Sequence, residues 1–321
     1  MTSTAVEFSR VTKVYLKRQV ALADVSFAVP EGSTVGLLGA NGSGKSTAIR
    51  TMLGLITPSS GKVAVFGEPM LPSAKRLRHR LGYLSDDPLF PKDYNAIEYL
   101  TFVGQAFGMS KLDRNARMGT LLRAVGLSDD AGRRVGTYST GMKTRLGVAA
   151  SLMNDPELLV WDEPTAGLDP ISRMQTLDLL ERLRGDKTVI LSSHILGDID
   201  RVCDRLVILN KGQLLFSGSR QELENRLPQS LVEVRASGDI ANYRHRVKES
   251  LGREDLCRDG GRLRFGLKRD EDVGQLIARL ISLANESDVQ IEGINSTGRQ
   301  LEDAYLKLIT DDEFRGFELA S

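Results

Sequence analysis

Cysteine is scarce in this chain, and its two copies suit neither a disulfide scaffold nor a metal site. Cys203 and Cys257 lie far apart in a sequence of 321 residues, outside any metal-ligand spacing. So few cysteines in a chain of this length are typical of a reducing compartment, where thiols stay free. We therefore expect two core or surface thiols.

Long apolar runs and an excess of one charge are also missing. The 43 basic and 42 acidic residues leave a net charge of +1, without the broad positive field of most nucleic-acid binders. No window approaches the length of about 18 apolar residues that a membrane span needs. The opening MTSTAVEFSR lacks the pattern of a secretion signal. We expect a soluble, cytoplasmic chain with no nucleic-acid partner.

The chain is long enough for two domains, because single cores stop growing at about 250–300 residues. Up to about residue 218, short apolar runs alternate with helical periodicity, which predicts an α/β domain with a mixed sheet. Several of these runs are nearly all apolar, as in strands buried on both faces. The strands are predicted at 21–29, 34–38, 62–66, 158–162, 188–192, 206–209 and 213–217.

A helical insert at about 86–150 interrupts this first domain, 1–218. The stretches AIEYLTFVGQAFG and SKLDRNARMGTLLRAVGL predict two helices, and Ser110 and Asp113 open the second with a pattern that resembles a capping box. Residues 219–321 predict a small α+β accessory domain without a chemical motif. Its strands are predicted at 231–235 and 262–265 and its helices at 271–283 and 299–309.

A glycine-rich stretch, GANGSGKST at 39–47, follows the predicted strand TVGLL. It matches the phosphate-loop pattern, in which backbone N–H groups and a helix N-terminus surround a polyphosphate. In such a loop the Lys45 side chain binds the β- and γ-phosphates. The Ser46 hydroxyl binds Mg²⁺, and the Thr47 hydroxyl reaches the α-phosphate. The alternative is an ordinary glycine-rich turn. The candidate nucleotide-binding residues are Gly39, Asn41, Gly42, Ser43, Gly44, Lys45, Ser46 and Thr47.

Two acids end the buried run LLVWDE, where side chains leave the carboxyl edge of a parallel sheet. We expect Asp162 to hold Mg²⁺, since this hard cation prefers oxygen ligands. Glu163 points differently and can polarise a water for attack on the γ-phosphate. Helix capping is the alternative reading, and it explains Asp169 in the following WDEPTAGLDP better than it explains the acidic pair.

With the phosphate loop, this acidic pair and YSTGMKTRLGVAASLMNDP in order, residues 5–218 resemble the ATP-binding subunit of an ABC transporter. The resemblance is closest to the branch whose partners are export permeases, and LEDAYLKLI resembles the end of that branch's C-terminal extension. It implies a P-loop ABC ATPase domain that binds ATP and Mg²⁺. It also implies a head-to-tail dimer with itself or a paralogue, with ATP at both interfaces. The partner would be a separately encoded permease, reached from the cytoplasmic face of the membrane.

The resemblance also assigns roles to residues in YSTGM and AGLDP. YSTGM stands at the family's signature position, usually Leu-Ser-Gly-Gly-Gln, and keeps Ser139 and Gly141. It departs from the signature at Tyr138, Thr140 and Met142. Its serine and helix-opening N–H groups are implied to bind the other subunit's γ-phosphate, although a plain helix cap would look the same. Asp169 is implied to contact the partner subunit.

Three further residues take family roles. His194, in LSSH, matches the switch histidine that holds the attacking water with Glu163. Tyr15, in VTKVY, stands where a ring stacks on adenine, or is a half-buried strand residue. Asp86, after LGYLS, stands where the family usually has a glutamine that senses Mg²⁺ and water, and a solvated turn is the alternative.

The sequence therefore predicts an ATP-hydrolysing motor subunit of an ABC transporter, an exporter by its branch. The chief rival is a soluble ABC-type ATPase that acts on ribosomes or DNA. Ribosomal forms usually carry two cassettes, and DNA-repair forms insert long coiled coils between the phosphate loop and the signature. This chain has neither feature. A non-catalytic subunit is disfavoured because Lys45, Asp162, Glu163 and His194 are all present.

Overall fold

The computed structural model describes residues 3–16, 19–225, 230–256, 261–267, 272–298 and 301–318. Contacts divide the chain into two compact units, Met1–Gly218 and Ser219–Ser321. Cys257 and the predicted helix starts at 271 and 299 lie outside the described residues. Among the described helices, none combines the length and the apolar character needed to cross a bilayer.

The first unit alternates strands and helices, as the sequence predicts. Its elements in chain order are β1 (Thr4–Tyr15), β2 (Gln19–Pro30), β3 (Thr34–Leu38), α1 (Lys45–Met52), β4 (Ser60–Val65), β5 (Glu68–Pro69), α2 (Lys75–Arg78), β6 (Leu81–Leu84), α3 (Ala96–Ala106), α4 (Lys111–Ala124), α5 (Thr140–Ser151), β7 (Leu158–Asp162), α6 (Pro170–Leu183), β8 (Thr188–Ser193), α7 (Leu196–Val202), β9 (Arg205–Asn210) and β10 (Gln213–Ser219).

A six-stranded sheet in the order β10-β9-β3-β8-β7-β6 forms the centre of this unit. The pairs β9–β3, β3–β8, β8–β7 and β7–β6 are all parallel. Every residue of β3, β7 and β8 is buried, which explains why these strands are nearly all apolar. Because parallel strands end at the same edge, the segments after β3, β6, β7 and β8 come together there.

A second sheet, β2-β1-β4-β5, is antiparallel. Phe8 and Phe27 stack across β1 and β2 with ring centroids 4.4 Å apart. The sequence did not predict β1 as a strand. Its register shifts between Phe8 and Val11, and Arg10 has a positive φ of 52°, so the apolar alternation is broken by a bulge.

The helical insert carries α3, α4 and α5. Asn95 opens α3 with a complete capping box, in which its side chain and that of Glu98 bond each other's backbone N–H. Ser110 caps α4 as predicted, but Asp113 accepts a bond from the Ser110 hydroxyl, not from its N–H. The pattern at Ser110 is therefore a serine cap and not a full capping box.

The second unit is a three-stranded antiparallel sheet with helices. Its elements are α8 (Arg220–Glu224), β11 (Ser230–Gly238), α9 (Ile240–Leu251), β12 (Arg262–Gly266), α10 (Val273–Glu286), β13 (Val289–Gly298) and α11 (Leu301–Glu318), with strand order β12-β11-β13. The sequence missed α9, which is highly charged and fully buries only Tyr243 and Val247. It also missed β13, whose Gly293 and Asn295 are poor strand formers.

Candidate functional site

The glycine-rich loop lies between β3 and α1, where the sequence placed it. Gly44 is the N-cap of α1 with φ 110°, and a Cβ there would lie 2.6 Å from the carbonyl oxygen of Ala21. At Gly42, with φ 80°, a Cβ would meet nothing within 4 Å, so this side of the loop is open. The buried Lys45 amine donates to the carbonyls of Gly39 at 2.7 Å and Ala40 at 3.3 Å.

A cavity of about 320 Å³ opens over this loop. Its size is within the range of small-molecule sites, about 300–1,000 Å³. It brings together residues from the ends of β1, β3, β6 and β7. The lining residues are Tyr15, Gln19, Val20, Ala21, Ala40, Asn41, Gly42, Ser43, Gly44, Lys45, Ser46, Thr47, Asp86, Asp162 and Glu163.

Asp162 is the last residue of β7 and is only 4% exposed. Burial raises its pKa above the ordinary value, and the charges of Asp86 and Glu163 act in the same direction. The Ser192 hydroxyl donates to the Asp162 carboxylate, and this bond and the charge of Lys45 oppose the rise. The carboxylate is thus costly to keep ionised here, and a cation in the cavity would stabilise it.

Glu163 turns its side chain away from that of Asp162. Its φ of 48° is in the left-handed region, and its N–H donates to the hydroxyl of Ser192 at 2.9 Å. Its carboxylate lies 2.8 Å from Nδ1 of His194, the residue that follows β8. The two adjacent acids therefore serve different contacts, as the sequence predicts.

Ser139, Gly141 and Asp169 do not line this cavity, and they lie at the first turns of two neighbouring helices, α5 and α6. Ser139 caps α5 by accepting from the N–H of Met142, and Asp169 caps α6 by accepting from Ile171 and Ser172. A Cβ on Gly141 would lie 2.7 Å from the Ser172 hydroxyl oxygen. Glycine thus lets the first turns of α5 and α6 approach closely.

The Asp169 carboxylate is well prepared to stay ionised. Hydrogen bonds from Ser172, first from its side chain and then from its N–H, lower the Asp169 pKa below its ordinary value. Its charge lies at the N-terminus of α6, where the helix dipole favours an anion.

Tyr15 and Asp86 both lie at the cavity. Tyr15 is half-buried at the end of β1, and the Lys13 ammonium is 5.4 Å from its ring centroid. Asp86 is exposed, and one of its oxygens accepts from the N–H of Asp87 at 3.0 Å.

Three residues with contacts around the site were not predicted from the sequence: Ser192, Thr165 and Asp198. Ser192 bonds both adjacent acids, and Thr165 bonds the buried Asp198. Ser192 precedes LSSH's histidine by two residues, but nothing in the local sequence indicates its contacts with β7.

Comparison with known proteins identifies the family of this chain. The profile of the family described as ABC transporter matches residues 22–166. The uncharacterized ABC transporter ATP-binding protein YxlF of Bacillus subtilis is 41% identical over 207 residues, 64% of this chain and 68% of the relative. The Nod factor export ATP-binding protein I of Rhizobium etli is 39% identical over 229 residues, 71% of this chain and 72% of the relative.

Solved structures share the fold. An ATP-binding subunit of an ABC transporter superposes with a TM-score of 0.64 at 28% identity, covering 69% of this chain and 92% of that one. The dimeric cassette MJ0796 does so with a TM-score of 0.62 at 24% identity, covering 67% and 98%. The second likeness supports the fold alone.

The fold and the glycine-rich loop between β3 and α1 define a P-loop ATPase with an ABC-type helical insert. The chain belongs to the family of ABC transporter ATP-binding proteins. It is an ATP-binding and ATP-hydrolysing subunit of a transporter.

Proposed function

We propose that two copies of this chain, or one copy and a paralogue, close head to tail on two MgATP and reopen after hydrolysis. The opening and closing would drive a separately encoded export permease from the cytoplasmic face of the membrane. The observation that carries this proposal is the contact of Glu163, which lines the phosphate-loop cavity, with His194, which is not among the lining residues. Binding alone would not need this pair.

The cavity's donor set fits a nucleotide with Mg²⁺. The open side at Gly42 and the Lys45 amine suit a polyphosphate, while Ser46 and Asp162 present a hydroxyl and a carboxylate, the oxygen ligands Mg²⁺ prefers. Bound Mg²⁺ would offset negative charge on the phosphates. Tyr15 forms one wall, where it can stack on the base.

Glu163 is assigned the role of the base that orients and polarises the attacking water. Nδ1 of His194 contacts Oε2 of the Glu163 carboxylate, and the backbone N–H of His194 donates to the same oxygen at 3.4 Å. The other ring nitrogen is free to face a γ-phosphate. Asp86, at the cavity wall, is assigned the place of the usual glutamine.

Ser139, Gly141 and Asp169 are assigned to the second copy's site. They form a separate cluster that does not line their own chain's cavity. The cluster joins the first turns of α5 and α6, and N–H groups at the start of α5 suit an anion. A head-to-tail dimer would supply that anion from the partner's ATP.

Export is proposed from the relatives that carry it in their names. Several of them are Nod factor export ATP-binding proteins, 37–39% identical to this chain. A sequence identity of about two fifths to these relatives supports export as the class of transport, but it does not identify the transported substrate.

We assign a groove beside α3 to a helical segment of the permease with an apolar face and an acidic residue. This groove, about 450 Å³, has an apolar floor and a basic edge at Lys75, Arg78 and His79, which fits an acidic partner side chain. Tyr83 lines the groove, and burial first, then the charges of Asp162 and Asp86 at the cavity, raise its pKa to about 12. The apolar lining includes Leu53, Leu55, Leu81, Tyr83, Tyr99, Val103, Ala106 and Phe107.

The test uses the chain with and without its permease in lipid vesicles. Leu55→Glu places a carboxylate in the groove and should leave basal ATP hydrolysis within about twofold, because Leu55 is outside the cavity. It should remove most of the stimulation by the permease. Leu112→Glu, at a more exposed leucine on α4 outside the groove (80% against 57% for Leu55), is the control and should retain stimulation. Equal stimulation of both variants would contradict the groove, and wild-type protein without ATPase activity would contradict the function.

A further inference from the structure

Asp198 is a buried carboxylate outside the nucleotide cavity. It is 1% exposed and lies in the first turn of α7, four residues after His194. A carboxylate is rarely buried unless hydrogen bonds and an opposite charge offset its lost hydration. The groups that donate to Asp198 therefore show which segments of the chain it connects.

Two donors use the two oxygens of this carboxylate. The buried Thr165 hydroxyl donates to Oδ2 at 2.6 Å, and Nε of Arg173 donates to Oδ1 at 2.7 Å. Both bonds are to a charged acceptor, which makes them stronger than neutral ones. Alanine at 198 would leave the buried hydroxyl without this acceptor.

The two donors belong to the segment that carries the proposed catalytic acid. Thr165 lies two residues after Glu163, and Arg173 lies in the second turn of α6, which Asp169 caps. Asp198 therefore bonds this segment to the start of α7, directly after the loop of His194. Glu163 and His194 meet at a single oxygen, Oε2 of Glu163, which Nδ1 of His194 contacts at 2.8 Å and the backbone N–H of His194 at 3.4 Å. The Glu163 side chain is 14% exposed and that of His194 is 55% exposed.

We propose that Asp198 is a positioning residue, which through Thr165 and Arg173 fixes the loop of Glu163 against the loop of His194. The inference rests on the proposed roles of those two residues. Asp198 does not line the cavity, so its effect on hydrolysis is indirect. Misplacing a catalytic group by about 1 Å can cost about 10²-fold in rate, so a small relaxation here is sufficient.

The main experiment compares Asp198→Ala with Asp200→Ala, an exposed aspartate on the same helix. Asp198→Ala should lower kcat about 10²-fold while the Kd for MgATP stays within about threefold. Asp200→Ala should keep both within about twofold. In a Glu163→Gln background, adding Asp198→Ala should cause no further loss, because residues that act as one unit are not additive.

Thr165→Val and Thr165→Ser test the same contact with less risk to folding. The valine keeps the shape and removes the hydroxyl, so kcat should fall about fivefold or more. The serine keeps the hydroxyl and should stay within about twofold of wild type. Thermal melting of each variant shows whether the fold is intact.

A readout without turnover separates this inference from the proposed function. The chain has three histidines, so the ring nitrogens of His194 can be assigned by NMR. Asp198→Ala should shift the Nδ1 signal of His194 as its bond to Glu163 loosens, even if the wild type hydrolyses nothing. An unchanged His194 signal, or Thr165→Val and Asp198→Ala at wild-type kcat, would overturn the proposal.

Discussion

At the scale of single residues, Glu163 combines a left-handed backbone conformation with the side chain that we propose as the catalytic base. A non-glycine residue in the left-handed region costs about 1–3 kcal/mol and needs support from its surroundings. The N–H of Glu163 is held by both the hydroxyl and the carbonyl of Ser192 on β8. This backbone turn lets two adjacent acids face different partners.

Asp86 is the residue whose role the sequence left most open. A carboxylate 4–5 Å from a γ-phosphate is repelled by about 3–4 kcal/mol per unit charge at an effective dielectric near 20. Asp86 is exposed and accepts a bond from the next N–H, so water screens its charge. Asp86 is therefore better suited to contact the nucleotide site through water than to ligate Mg²⁺ directly, because Mg²⁺ keeps several of its waters.

Asp86→Asn should accordingly keep basal hydrolysis within about tenfold of wild type and weaken stimulation by the permease. A positioned base contributes about 10²–10⁴, so a smaller loss distinguishes the two roles. Steady-state hydrolysis across a Mg²⁺ titration, with and without the permease, measures this. A large rise in the Mg²⁺ needed for half-activity would instead make Asp86 a direct ligand.

At the scale of elements, an exposed charge cluster holds α4 to the start of β7. The Asp155 carboxylate accepts from Lys187 at 2.8 Å and from Arg117 on α4 at 2.9 Å. The hydrogen bond from Lys187 is the main reason that the pKa of Asp155 lies below its ordinary value, with Arg117 assisting. The ionised form is therefore favoured by folding.

Asp155→Asn should lower the free energy of unfolding by about 0.5–1 kcal/mol at pH 7, because the carboxylate is exposed and screened. Asparagine tolerates the positive φ at this position, so the charge alone is tested. A depressed pKa stabilises above the ordinary value of 3.8, and the contribution is lost as pH falls through the folded pKa. The difference from wild type should shrink below about pH 4.

Urea unfolding followed by the fluorescence of Trp161, the only tryptophan, measures this in the first unit. Asp93→Asn, in a more exposed pair with Arg134, is the control and should change little. If Asp155→Asn lowers the free energy of unfolding equally at pH 7 and pH 3.5, the effect comes from side-chain shape and not from the charge of Asp155.

The elements that the sequence predicted well are those with a local signal. The strands β3, β7 and β8 were confirmed because burial on both faces makes them continuously apolar. The strand β1 was missed because its bulge at Arg10 breaks the alternation, and β13 because polar and glycine residues occupy much of it. Both segments form strands because they pair with other strands, and their own residues do not indicate that pairing.

The site divides in the same way. The phosphate loop and the acidic pair follow recognisable motifs, since their chemistry requires fixed spacing along one segment. Ser192, Thr165 and Asp198 bond residues about thirty positions away, and hydroxyl and carboxyl groups are common wherever a turn or helix begins. Only the parallel sheet brings those segments to one edge.

At the scale of the whole molecule, the first unit carries two separate groups of proposed site residues. One is the cavity over the phosphate loop, and the other is the cluster of Ser139, Gly141 and Asp169 at the first turns of α5 and α6. A single chain does not join them. On the proposed function, a second copy completes each ATP site. Dimer formation should therefore depend on ATP.

The most direct measurement is light scattering of Glu163→Gln with MgATP, ADP or no nucleotide, together with its hydrolysis rate. We expect nearly normal ATP binding, hydrolysis slowed at least about a hundredfold, and stable dimers with MgATP alone. The 35.2 kDa chain should then scatter as twice that mass, while Glu68→Gln, at an exposed glutamate on β5, turns over like wild type. Monomers of Glu163→Gln at saturating MgATP, with turnover close to wild type, would contradict the account.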